Sequence, residues 1–192
     1  LSYVQSNVMA SSKDEIIRKL DNEFPNLRLY FGSGGISFRY RAFLNLLLRM
    51  QGYQLGLVSN VCERIIPALE ERKKVIESSK DQSVHYCIVI IKSQVFNFPV
   101  DKMMPNSFVL SQAIRKYMKL QGNGENDDSN AIGLFNITQN YCLDVSDDVG
   151  DSVKTDDILA TTGFTVPSIG LKTKTATPRD ELENYKKVLQ TR

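Results

Sequence analysis

Apolar residues recur along this chain at two spacings. Ile16, Ile17 and Leu20 share one helical face behind Ser12-Lys-Asp-Glu15. In such a stretch the serine hydroxyl and the glutamate carboxylate satisfy the first free helix amides. Pro25 ends the segment. Leu27-Arg-Leu-Tyr-Phe31 reads as a short strand running into Gly32-Ser-Gly-Gly35. Tyr40, Phe43, Leu44 and Leu47 then return to helical spacing, with Ser37 placed to cap and Gly52 to stop. Leu55-Gly-Leu-Val58 reads as a second strand, followed by a helix over about 63–76 with Pro67 near its first turn.

Val84 to Ile91 is the clearest strand, a β-branched apolar run of the kind buried on both faces. Asn106 or Ser107 caps a further helix in which Leu110, Ile114 and Tyr117 share a face. Residues 122–130 form a polar, turn-rich loop. Strands return at Tyr141 to Val145 and Phe164 to Val166, and Arg179 to Leu189 closes the chain as an amphipathic helix. Strand and helix thus alternate, which predicts an α/β fold: a three-layer, Rossmann-like parallel sheet with helices on both faces. The expected organisation is an N-terminal helical extension over 1–26, an α/β domain over 27–171 and a C-terminal helix over 172–192.

Composition narrows the function. The chain has 192 residues, enough for one ordinary domain. Its 24 Lys and Arg stand against 22 Asp and Glu, so the basic excess of a nucleic-acid binder is missing. No apolar run approaches the roughly 20 residues of a membrane span. The first residues lack the basic and apolar regions of a signal peptide. Cys62, Cys87 and Cys142 are too scattered for a disulfide framework or a zinc cluster. An intracellular, reducing compartment is the expectation, and Asn136-Ile-Thr138 is then an unused glycan acceptor sequence.

In doubly wound sheets, ligands bind beyond the carboxyl ends of the strands. The positions after the expected strands hold Gly32 and Gly34, then Ser59 and Asn60, then Lys102, then Asp151 and Asp156. A hydroxyl and an ammonium can hold phosphate oxygens, and two carboxylates can hold Mg2+.

That order resembles the haloacid dehalogenase-like superfamily of phosphatases and phosphotransferases. Gly52-Tyr-Gln-Leu-Gly-Leu-Val-Ser-Asn60 is similar to the second motif of that family, a strand ending in Ser or Thr. Lys102-Met-Met-Pro105, with Phe108 and Ala113, is similar to the third, with Met103 in place of the usual first proline. Val149-Gly-Asp-Ser-Val-Lys-Thr-Asp156, followed by Ala160 and Gly163-Phe164, is similar to the fourth. The resemblance implies phosphate binding by Ser59, Asn60 and Lys102, and Mg2+ held by Asp151 and Asp156.

The first motif departs from the family. Its nucleophilic aspartate aligns with Gly32 and its acid/base aspartate with Gly34, and glycine can neither attack phosphorus nor move a proton. The resemblance therefore implies a non-catalytic pseudo-phosphatase domain, a structural or protein-interaction subunit of a larger assembly. The alternative is an active Mg2+-dependent phosphatase that forms its aspartyl-phosphate on another residue. The short interval between Gly34 and Ser59 leaves no room for a large cap there. The expected site is open and suited to a macromolecular partner.

Overall fold

Strand β1 (Val84–Ile91) is buried along nearly its whole length, and its two sides face two different apolar clusters. Ile88 and Ile90 pack into one with Leu20, Leu47 and Val58; Cys87, Val89 and Ile91 pack into the other with Leu110, Ala113 and Tyr117. Period-two alternation in an all-apolar run demands this: neither side tolerates water, so both are covered by helices.

The computed structural model describes residues 2–32, 36–121 and 133–162, with side chains from Lys13 onward. The helices α1 (Ser2–Glu23), α2 (Phe38–Met50) and α3 (Leu55–Ser78) contribute to the first cluster, and α4 (Asn106–Gln121) to the second. The remaining strands are β2 (Gln94–Asp101), β3 (Gly133–Asn136), β4 (Tyr141–Cys142) and β5 (Leu159–Thr162); α5 (Val149–Ser152) is a single turn. The sheet order is β2-β1-β5-β3-β4. Among the described residues, no helix is long and apolar enough to cross a membrane.

The α/β class and the helices on both faces are as expected; the all-parallel sheet is not. Among the described residues only β1 and β5 run parallel, with Val89 opposite Leu159 and Ile90 opposite Ala160. The pairs β1–β2, β3–β4 and β3–β5 are antiparallel. Short connections explain the hairpins: two residues, Lys92 and Ser93, join β1 to β2, a length that permits only antiparallel pairing. With a hairpin, a helix and a second hairpin in succession, and the first and last strands parallel at the centre, the connectivity is that of a β-grasp.

Two expected strands are helical. Leu27–Phe31 forms a 3-10 helix in which Leu27 and Phe31 are buried while Leu29 is 61% exposed. A strand would have put all three on one side. Phe31 instead stacks on Phe43, with ring centroids 4.5 Å apart. Leu55–Val58 is the first turn of α3, whose buried positions Val58, Val61, Cys62, Ile65, Ala68, Leu69 and Arg72 continue past Pro67 at helical spacing. Pro67 stands on the exposed side of the helix, where solvent can replace the hydrogen bond it removes. The buried row outweighs its penalty.

Helix α1 begins well before Ser12, so the Ser12–Glu15 pair is not its start; it ends before Pro25 as expected. Ser37 caps α2 by accepting from the Tyr40 amide at 3.1 Å. Strand β2 went unpredicted because it contains Pro99. In the hairpin register Pro99 falls opposite Tyr86, at a position whose amide points away from β1, so no ladder bond is lost. The loop expected over 122–130, the strand at 164–166, the closing helix and Gly34 lie outside the described residues.

Two glycines predict opposite outcomes. A β-carbon on Gly150 would lie 3.0 Å from Lys102 Cβ and 3.2 Å from its carbonyl oxygen, whereas one on Gly56 in α3 meets nothing within 4 Å. Gly150→Val should therefore cost about 1–3 kcal/mol. Gly56→Ala should gain about 0.5–1 kcal/mol of stability, read as a higher urea unfolding midpoint.

Candidate functional site

The segments carrying the third and fourth motif resemblances lie side by side. The Gly150 amide donates to the Lys102 carbonyl at 2.9 Å, Val149 to Met104 at 2.9 Å, and Asn106 to Asp147 at 2.9 Å. Asn106 is fully buried, and its side-chain amide donates to the Asp144 carbonyl and to Ser152 Oγ. Lys102 and Asp151 thus belong to neighbouring turns, one after β2 and one within α5.

Ser59 and Asn60 are elsewhere. Both lie in the first two turns of α3, and Ser59 Oγ donates to Glu23 Oε2 at 3.4 Å. Lys102 instead lines a cavity with Val75 and Ile76, near the other end of the same helix. At 1.5 Å per residue, Ser59 and Val75 are about 24 Å apart along α3. Gly32 ends the 3-10 helix with φ 134°, in the left-handed region that favours glycine, and does not follow a strand. Asp156 sits in the turn before β5 and faces Arg72 and Lys73 across a second cavity. The two candidate Mg2+ ligands therefore stand on α5 and on that turn. Among the described residues no three His, Cys, Asp or Glu side chains gather into a metal site.

The turn before β5 is organised by a residue the sequence reading passed over. Asp157 is 1% exposed. Its carboxylate accepts from Asn136 Nδ2 at 2.8 Å, Gln139 Nε2 at 3.1 Å and the Lys154 amide at 2.7 Å. Its carbonyl accepts from Arg72 Nη1 at 2.6 Å. Asn136 is fully buried in this network, which takes it away from any glycan-attaching enzyme in the folded state. Arg72, 4% exposed, is held below its ordinary pKa by burial, against the opposing pull of Asp156. Among the described residues it has no carboxylate within ion-pair distance.

Arg72 also lines a cavity of about 580 Å3 between the 3-10 helix, the C-terminal half of α3 and the turn at Thr155–Asp156. A second cavity, about 280 Å3, adjoins it, sharing Ile76 and Thr155 and reaching Val84, His85 and Lys102. Together they form one groove. Three large apolar side chains along it face solvent: Leu29, Ile76 and Val84. The signal for Arg72 was present in the chain, as a charge at the end of a row of buried helical positions.

Two of the three cysteines, Cys62 and Cys87, are buried. Burial pushes the thiols of Cys62 and Cys87 up to about 12, so neither is a thiolate near neutral pH. Burial, helped by Arg72 and Lys102, holds the His85 imidazole down to about 4, and its Nε2 has no hydrogen-bond partner. Comparison with protein-family models, curated proteins and solved structures returned no match for the chain.

His85 makes stability depend on pH. Its folded pKa lies below the ordinary 6.5, so the unfolded chain takes up a proton here that the folded protein refuses. The contribution is complete above about pH 6.5 and is lost progressively down to about pH 4. The protein should be about 2 kcal/mol less stable at pH 5 than at pH 7 in urea titrations. His85→Gln should flatten that difference, and an unchanged slope in the variant would assign it to other groups.

Proposed function

We propose that this domain is non-catalytic and works by binding another protein through the groove along the C-terminal half of α3. The concentration of exposed apolar side chains carries the reading. Of eight large apolar residues exposed among those described, three line this one groove. Exposed apolar residues scattered singly are ordinary, whereas a contiguous row rimmed by polar groups marks a binding surface. The groove runs between helix and turn past exposed side chains, which suits an extended segment of a macromolecule.

The interaction role expected from the sequence is kept; its phosphate-binding part is not, because Ser59 and Lys102 stand at opposite ends of α3. Catalysis by the aspartyl-phosphate route needs a carboxylate, a hydroxyl and an ammonium around one phosphorus. Purified protein should therefore hydrolyse p-nitrophenyl phosphate no faster than buffer, with or without added Mg2+. Turnover that disappears in Asp151→Asn would overturn the non-catalytic reading.

A further inference from the structure

The occupant of the groove can be specified, on the footing that the groove is an interaction site. We infer that it takes an extended segment of a partner protein in which one large apolar side chain is flanked by lysine or arginine. The two cavities meet at Ile76, with Leu29 on one side and Val84 on the other. These side chains are 45%, 61% and 38% exposed, so an apolar residue laid across them removes water from three partners at once.

Charge selects what flanks that residue. The exposed rim of the larger cavity carries Glu70, Glu77 and Asp156 against Lys73. Beneath it, Arg72 is buried and donates to the Asp157 carbonyl, so it faces a bound segment less than the exposed carboxylates do. The rim of the larger cavity is left acidic although the whole chain is slightly basic, and in the adjoining cavity Asp81 and Lys102 offset each other. Glu70 and Glu77 are seven positions apart on α3, two turns and about 10 Å along one face. Long basic side chains two or four positions apart in an extended segment straddle that distance. On the floor, Arg72 spends Nη1 on the Asp157 carbonyl and offers its other N–H groups to backbone carbonyls of the bound segment.

Two sets of fluorescein-labelled short peptides test this, built on the same central Leu or Phe but flanked by Lys and Arg or by Asp and Glu. Binding is read by anisotropy and located by amide chemical-shift changes in the full chain. The basic set should bind, with shifts confined to positions 26–30, 69–77, 84–86 and 154–157, and should weaken between about 50 and 500 mM salt. Glu70→Lys with Glu77→Lys should weaken it about tenfold or more, as should Ile76→Ser alone. Glu63→Lys, exposed on the other half of α3, should leave it unchanged. Equal or tighter binding of the acidic set at the same amides overturns the basic flanks and leaves the groove as an interaction site. Failure of both sets to move these amides overturns the interaction reading as well. A concentration-dependent dimer in analytical ultracentrifugation that Ile76→Ser abolishes would put a second copy in the groove and overturn the partner segment.

Discussion

Strand β1 has no side that can face water, and the rest of the molecule is arranged around that fact. Five consecutive residues, Cys87 to Ile91, are at most 1% exposed. Covering one side requires α4; covering the other requires the layer built from α1, α2 and α3. Each fully buried aliphatic side chain contributes about 1.5–3 kcal/mol, so the four aliphatic residues Ile88 to Ile91 together contribute about 6–12 kcal/mol of burial energy. Its parallel partner β5 is short, and the turn before it is held by the polar contacts of Asp157.

The groove is a by-product of the same arrangement. Helix α3 has 24 residues, but its buried positions stop at Arg72, so the last turns to Ser78 run beyond the apolar cluster. Arg72 marks the changeover. It is still buried, and it ties the helix to the turn before β5 through the Asp157 carbonyl. Past it, Ile76 remains as an apolar side chain with no core to enter, opposite Leu29 from the 3-10 helix. A stabilising contact between helix and sheet thus leaves an unfilled wedge at its edge.

Much of this was legible in the amino-acid order, and the failures have physical causes. Ile16 to Leu20, Tyr40 to Leu47, Leu110 to Tyr117 and Val84 to Ile91 each carry a periodicity strong enough to fix their element. Leu27–Phe31 and Leu55–Val58 are too short for period alone to separate strand from helix, and in both the packing of Phe31, Val58 and Cys62 against the core decides. Pro99 masked β2, and the four-residue strands β3 and β5 give almost no pattern. Misplacing two strands created the apparent series of strand ends on which the phosphate site rested. Gly150 does have a local reason to be glycine, but the reason is the Cβ and carbonyl oxygen of Lys102 against it. Asp157 stands next to Asp156 in a segment, 144–157, that holds six aspartates, and composition alone cannot rank them.

The doubly covered centre is tested most directly by native-state amide hydrogen exchange. The amides of Ile88 to Ile91 and of Leu159 to Thr161 should exchange slowest and with one common free energy, that of global unfolding. The outward-facing amides of β2, Val95 and Asn97, should exchange much faster. Protection in β1 no greater than at that sheet edge would contradict a strand sealed between two apolar layers.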